Sequence, residues 1–148
     1  MIAVPSLPAL DLGGGWQATV EAWTRGAGRL HLHRDGVVAD VQVERCVAGR
    51  LRETYPAGAH DLEVRVCGGP LAELLQTLFE AVTKADPACR RVVYAAREGD
   101  AEQVAAARSA GFRHVVDVDV ADEQLSLLVA EPDRVTWADA DLGHVPGT

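Results

Sequence analysis

Length, composition and charge exclude several classes of protein. The chain has 148 residues, of which 48% are apolar, and its formal net charge is −8. These values are typical of one soluble domain over residues 1–148 with enough chain to bury a core. The negative charge argues against a nucleic-acid partner. Without a signal-peptide pattern or a membrane-length apolar run, we expect a cytoplasmic protein with no membrane partner.

Cysteines and histidines give no strong metal or disulfide signal. The chain has three cysteines, Cys46, Cys67 and Cys89. Because their number is odd and they lack Cys-x-x-Cys spacing, we expect reduced thiols. His31 and His33 have an i, i+2 spacing that could chelate a metal if a third ligand approached. Solvated histidines on a hairpin are the interpretation we favour, and no metal is expected.

The N-terminal third is predicted to be an antiparallel meander. Residues 1–15 carry two prolines and three consecutive glycines, which favour an irregular arm. Strands are predicted at residues 16–23, 29–33 and 37–46. Asp35-Gly36 is a hairpin signal between the last two. Residues 47–60 form a connection with room for one helical turn around Leu51.

Residues 61–112 contain the strongest pattern. A strand at 61–67 places Leu62, Val64 and Val66 on one face, and Gly68-Gly69-Pro70 then turns the chain. A helix follows, with apolar residues at Leu71, Leu74, Leu75, Leu78, Phe79 and Val82. Ala85-Asp86-Pro87 ends it, and a buried strand at 91–96 follows. This order predicts a right-handed parallel βαβ unit.

The glycine turn is a candidate anion site. The backbone N–H groups of Cys67, Gly68, Gly69, Leu71 and Ala72 would converge at the positive end of the helix dipole. Such a group of donors suits a phosphate or pyrophosphate. The alternative is that these glycines form only a tight turn.

The C-terminal part is predicted to hold a short helix, a hairpin and a tail. Asp100 caps the helix, with Gln103 placed to complete a capping box and Gly111 to end it. A hairpin spans residues 113–120 and 124–131. Residues 132–148 are an acidic tail that docks on the sheet edge or on a partner, or is loose.

These elements resemble the GNAT superfamily of acyl-CoA-dependent N-acyltransferases. That family has a (Gln/Arg)-x-x-Gly-x-(Gly/Ala) turn after its fourth strand, and Arg65, Gly68 and Pro70 occupy its places here, the proline departing from the pattern. Its next helix starts with Asn, carries Tyr and closes on Gly-Phe. In this chain those places hold Asp100, Ala107 and Gly111-Phe112.

The resemblance implies an α+β fold and a chemistry. The expected fold is a mixed, mostly antiparallel sheet with one splayed parallel strand pair and flanking helices. Acetyl-CoA or another acyl-CoA would be the donor, with its pyrophosphate on the glycine turn and Asp100 beside it. A backbone N–H of the strand before the turn, that of Val66 or a neighbour, would meet the thioester oxygen.

Two departures from the family affect the pocket for the acceptor amine and the group that protonates the departing thiolate. Residues 24–28 leave no room for the two helices that wall the acceptor side in typical members. The acceptor pocket is therefore open, rebuilt by other segments or supplied by the second subunit of a homodimer. The Tyr that often protonates the departing thiolate is replaced by Ala107.

Glu63 and Tyr94 are the candidate catalytic residues. Glu63 would take the proton of the attacking amine. It could instead be a solvated strand residue or form a cross-strand ion pair with an Arg. Tyr94 could supply the missing acid, or could be a core tyrosine with its hydroxyl at the sheet end. Asp117 and Asp119 share a strand face and either bind a cationic acceptor or are solvated.

The leading prediction is acyl transfer to a small amine or to a protein amino group, by direct attack in a ternary complex. Two alternatives remain open. One is a catalytically inactive GNAT-like module that binds acyl-CoA or a protein partner. The other is a structural or oligomer-forming domain.

Overall fold

The computed structural model describes residues 4–132, and within them the predicted elements form with ends shifted by a few residues at most. The strands are β1 (Gln17–Trp23), β2 (Ala27–Arg34), β3 (Val37–Arg45), β4 (Leu62–Cys67), β5 (Val92–Arg97), β6 (Arg113–Val120) and β7 (Glu123–Ala130). The helices are α1 (Leu71–Ala85) and α2 (Ala101–Ser109), with a 3-10 turn at Cys46–Ala48. Apart from Pro132, the predicted acidic tail lies outside the described residues.

One mixed sheet organises the chain. Its seven strands have the order β1-β2-β3-β4-β5-β7-β6. Strands β4 and β5 are parallel, and every other neighbouring pair is antiparallel. Helix α1 makes the crossover between the parallel strands, as the βαβ pattern predicts. The predicted α+β class is confirmed.

Helix α1 covers one face of the sheet, here called the helix face. Its buried residues are Leu74, Leu75, Leu78, Ala81 and Val82, which recur at helical spacing. Leu74, Leu75, Leu78 and Val82 pack in one core cluster that also contains Leu62, Val64, Val92 and Tyr94 of the parallel strands. Proline is favoured at the first position of a helix, but Pro70 is here the N-cap residue, one position earlier. Neither described helix is long and apolar enough to cross a membrane.

The opposite face is covered over only part of its width. Leu51 and Tyr55, from the connection before β4, pack there against Val93, Leu127 and Val129. Over β1–β3 this side carries His31, His33, Asp40 and Gln42, and we call it the open face. Residues 24–26 alone link β1 to β2, so no helix lies between them, as the sequence predicts.

Strand β1 departs from its predicted alternation. Regular alternation from Trp16 predicts that Val20 shares its buried apolar face, but Val20 is 60% exposed while Trp16 is buried. The pairing with β2 shifts between Val20 and Ala22, leaving Glu21 as an extra residue in a β-bulge. The edge position of β1 accounts for the exposure of Val20.

Arg45 ties three distant segments together beneath the parallel strands. Although it is 1% exposed, its guanidinium donates to the carbonyls of Pro5, Ser6 and His60 and pairs with Asp86 at 2.9 Å. Burial opposes ionisation of Asp86, but hydrogen bonds with His60 and Arg45 outweigh it and lower the pKa of Asp86. This cluster fixes the N-terminal arm and the end of α1.

Arg45→Met should therefore cost about 3–5 kcal/mol of unfolding free energy, because it removes the buried guanidinium that pairs with Asp86 and with three backbone carbonyls. Urea denaturation would measure the loss. The matched control is Arg113→Met. Arg113 forms an ion pair with Glu131, but its side chain is 67% exposed. This control should lose at most about 1 kcal/mol. Equal losses in the two variants would contradict a structural role for Arg45.

Candidate active site

The parallel strands separate halfway along their length. Strand β4 pairs with β5 at Leu62, Glu63 and Val64. The last of these pairs is Val64 with Tyr94, and the pairing stops there. Beyond that point β4 continues to pair with β3 as far as Cys67. Strand β5 likewise continues to pair with β7 as far as Arg97. A gap therefore opens between the carboxyl ends of β4 and β5, as the predicted splay requires.

The backbone of β4 presents a donor to this gap. The N–H of Leu62 donates to the carbonyl of Arg91 at 3.2 Å, which places it on the β5 side. Because N–H direction alternates along a strand, the N–H of Val66 also points toward β5. The ladder with β5 has ended by then. Val66 can thus donate to an oxygen that enters the gap.

The turn after β4 requires glycine. Gly68 and Gly69 have φ values of +87° and +74°, where other residues are strained. A Cβ on Gly68 would lie 3.2 Å from the carbonyl oxygen of Val38. The turn is thus packed on β3 on one side, while Gly68, Gly69 and Pro70 are exposed on the other.

Several backbone amides at this turn have no acceptor among residues 4–132. They include those of Gly68, Gly69, Leu71 and Ala72. Pro70 gives α1 no side-chain cap. Since the helix dipole is positive here, these amides can bind an anion. Cys67 is a correction: by the same alternation its N–H points toward β3, away from the turn, and we leave it out of this set.

An ion pair offsets the one carboxylate in the first turn of α1. Glu73 binds Arg34 through both guanidinium nitrogens Nη1 and Nη2. This hydrogen bonding lowers the pKa of Glu73 and raises the pKa of Arg34. Arg34 also lies over the ring of Trp16, with 4.2 Å from Cζ to the ring centroid. The sequence did not indicate this pairing.

Glu63 lies on the face opposite α1 and is buried, with 1% exposure. Nε and Nη2 of Arg50 approach its Oε2 at 3.1 and 2.7 Å, and Nε of Arg65 lies at 3.5 Å. Burial opposes the charge of Arg50, but the hydrogen bonds with Glu63 outweigh it and raise the pKa of Arg50. Glu63 is therefore ion-paired and not solvated, but its partners are Arg50 in the connection before β4 and Arg65 on β4 itself, and not an arginine of a neighbouring strand.

Tyr94 lines a small cavity at the gap. The cavity measures about 150 Å³, and its walls include Arg50, Arg65, Val66, Tyr94, Arg97 and Glu123. Tyr94 is 4% exposed. Burial, together with the charge of Asp100, raises the pKa of Tyr94 to about 12. Its hydroxyl therefore keeps its proton at neutral pH.

Asp100 caps α2 as predicted, by accepting a hydrogen bond from the N–H of Gln103 at 3.0 Å. The predicted reciprocal bond is replaced, because Oε1 of Gln103 accepts from the N–H of Arg97 at 2.9 Å. Ala107 is fully buried in the helix-face core, so the family's Tyr place holds no polar group.

A larger groove adjoins the cavity. It measures about 730 Å³ and shares Arg97 and Glu123 with the cavity; its other charged walls are Glu98, Asp119 and Asp122. Four carboxylates against one guanidinium favour a cationic ligand. The second predicted aspartate, Asp117, does not line the groove. It binds His114 at 2.8 Å, and that hydrogen bond lowers the pKa of Asp117.

No family model matches this sequence, and no curated protein does. Solved structures do. An uncharacterised protein from Bacillus halodurans superposes with a TM-score of 0.68 at 16% identity, over 80% of this chain and 65% of its own. The structure of AAC(6')-Ib with ribostamycin and coenzyme A superposes with a TM-score of 0.65 at 12% identity, over 75% of this chain and 67% of its own.

Mycobacterium smegmatis RimJ, solved with CoA-disulfide, gives a TM-score of 0.54 at 15% identity, over 74% of this chain and 55% of its own. The chain thus spans about two thirds or less of the length of these three structures. At these identities the similarity concerns the fold. Together with the splayed parallel pair and the glycine turn, it shows that this chain has the fold of the GNAT acetyltransferases.

Proposed function

We propose that this chain is an acyl-CoA-dependent N-acyltransferase that transfers an acetyl group to a small cationic amine. The observation that carries the proposal is the set of free amides at the start of α1, directly beside the gap between β4 and β5. Structures with the same fold have been solved with coenzyme A and acetyl-CoA.

Donor binding is assigned to the turn and the gap. The amides of Gly68, Gly69, Leu71 and Ala72 would hold the pyrophosphate. The acyl-bearing arm would then run along β4, where the N–H of Val66 would stabilise the oxyanion that forms on the thioester carbonyl. Asp100, whose charge acts on the Tyr94 hydroxyl, remains the proposed contact on the α2 side.

The proposed reaction is a direct transfer. The amine nitrogen attacks the thioester carbonyl, the new C–N bond forms and the C–S bond breaks. Glu63, or a water that it holds, takes the proton from the amine, and Tyr94 protonates the departing thiolate. The two side chains lie on opposite faces of the sheet, which is consistent with separate base and acid roles.

The carboxylates of the larger groove suggest the class of acceptor. Glu98, Asp119, Asp122 and Glu123 would attract a molecule with several ammonium groups. The groove adjoins the cavity at the gap, so one amine could reach the thioester while others stay on the carboxylates. The similar AAC(6')-Ib structures hold ribostamycin or kanamycin, which is consistent with this class of acceptor.

Donor binding can be tested with Gly68→Gln and Gly68→Glu. Both side chains strain the same left-handed residue and approach the same Val38 carbonyl, so their losses of stability should match. Only the Glu variant adds a negative charge beside the pyrophosphate. Calorimetry should show it binding acetyl-CoA at least about tenfold more weakly than the Gln variant. Equal affinities would remove the turn from the site.

The base can be tested with Glu63→Gln. If Glu63 accepts the amine proton, kcat should fall by about 100-fold or more while the acetyl-CoA dissociation constant is unchanged. Glu53→Gln, on a glutamate with an 83% exposed side chain, is the control. A fall in activity that only tracks the fraction of unfolded protein would show that Glu63 is structural.

The role of Tyr94 as the acid can be tested with Tyr94→Phe, by measuring the rate of thiol release from acetyl-CoA. We expect kcat to fall while acetyl-CoA binding is retained, because only the hydroxyl is removed. Tyr55→Phe is the matched control. The hydroxyl of Tyr55 accepts a hydrogen bond from Nη1 of Arg91 and does not lie at the gap. In the parent protein the acid should stay protonated below pH about 12, so Tyr94 causes no alkaline loss of kcat at pH 9–10. Normal turnover by Tyr94→Phe would exclude this role.

A catalytically inactive acyl-CoA-binding module is the second candidate. It is favoured by the ion pairs that hold Glu63 and by the buried Ala107 at the family's Tyr place. Acetyl-CoA binding without thiol release, across a panel of polyamines and aminoglycosides, would identify it. Absence of acetyl-CoA binding would exclude both candidates and leave the structural alternative.

A further inference from the structure

A second group of potential ligands lies on the open face. Glu21, His31 and Asp40 stand on β1, β2 and β3, and each offers one atom such that all three atoms lie within 4.8 Å of one another. Nδ1 of His31 and Oδ1 of Asp40 are 2.9 Å apart. Within residues 4–132 this is the one group of three or more His, Cys, Asp and Glu side chains that converges in this way.

Strand β1 supplies the third member. Val20 pairs with Leu30 and Ala22 pairs with Arg29, so Glu21 is the extra residue between them. Thr19 pairs directly with His31, and Glu21 lies two residues further along β1, so alternation places Glu21 on the open face with His31. His31 and Asp40 are direct cross-strand partners in the next pair of strands, which fixes their backbones. The three ligands are therefore held by rigid, neighbouring strands.

The short connection between β1 and β2 leaves this group open to solvent. The side chains of His31 and Asp40 are 37% and 55% exposed. A metal ion could enter without any movement of the backbone, and water could fill the remaining coordination positions. Zn²⁺ binds imidazole nitrogen and carboxylate oxygen at about 2.0–2.2 Å, which puts its ligands about 3.5 Å apart. Small side-chain rotations would bring the three atoms into that range.

We infer that Glu21, His31 and Asp40 form a binding site for a divalent transition metal of the Zn²⁺ class. One nitrogen and two oxygens suit Zn²⁺, Co²⁺ or Ni²⁺ better than Mg²⁺ or Ca²⁺, which prefer oxygen alone. The site uses His31 without His33, the pairing that the sequence spacing suggested. It is independent of the acyltransferase proposal.

The competing explanation is an ordinary exposed His–Asp ion pair. The chain contains a matched example, because Nε2 of His114 and Oδ1 of Asp117 are 2.8 Å apart on β6. That pair belongs to no converging group of three among the described residues. Metal binding that depends on His31 but not on His114 would therefore separate a chelating site from a surface ion pair.

The experiment is a calorimetric Zn²⁺ titration of the full chain, in a Cys67→Ser background because the exposed Cys67 lies across from Asp40 on β4. We expect one site. Loss of even an outer-shell partner costs about 10-fold or more in metal affinity, so His31→Gln and Glu21→Gln should weaken binding at least that much. His33→Gln and His114→Gln should leave it unchanged.

Co²⁺ absorption provides a second readout. Nitrogen and oxygen ligation should give weak d–d bands without thiolate charge transfer, and the bands should vanish in His31→Gln. Two results would overturn the proposal: no Zn²⁺ binding at millimolar concentration, or binding of the same affinity in His31→Gln. Thermal unfolding of each variant without metal would show that its fold is intact.

Discussion

The separation of β4 from β5 after Val64 is the constraint on which the candidate active site depends. Parallel strands normally continue their hydrogen-bond ladder, and here the ladder stops while each strand keeps its other neighbour. Backbone groups of β4, including the N–H of Val66, are thereby left facing a gap. Gly68 and Gly69, at positive φ, then turn the chain into α1 beside that gap.

Charge is arranged differently on the two sides of this gap. At the turn, free amides and the helix dipole favour an anion, and Arg34 neutralises the nearby Glu73. On the other side, the groove between the β5–α2 and β6–β7 connections is rich in carboxylates. An anionic donor and a cationic acceptor would therefore approach from different directions. Arg50 and Arg65, which bind Glu63, line the cavity at the gap.

The absence of helices between β1 and β2 shapes the remaining surface. In this chain residues 24–26 leave the open face uncovered, and its polar side chains reach solvent. The same omission makes room for the proposed metal site and leaves the acceptor side without the walls that the GNAT resemblance implies. The edge strand β1 contributes Glu21 to that site.

The sequence by itself determined the elements and the glycine turn, because hydrophobic periodicity and glycine or proline punctuation are local signals. The helix with apolar residues from Leu71 to Val82 and the hairpin at Asp35-Gly36 could be predicted for that reason. Only the tertiary structure decided the partners of Glu63, the setting of Tyr94 and the convergence of Glu21 with His31 and Asp40. Arg50 reaches Glu63 from an irregular segment, and Glu21 meets His31 and Asp40 because β1, β2 and β3 pair in this register. Such contacts depend on strand register and chain packing, which no local pattern encodes.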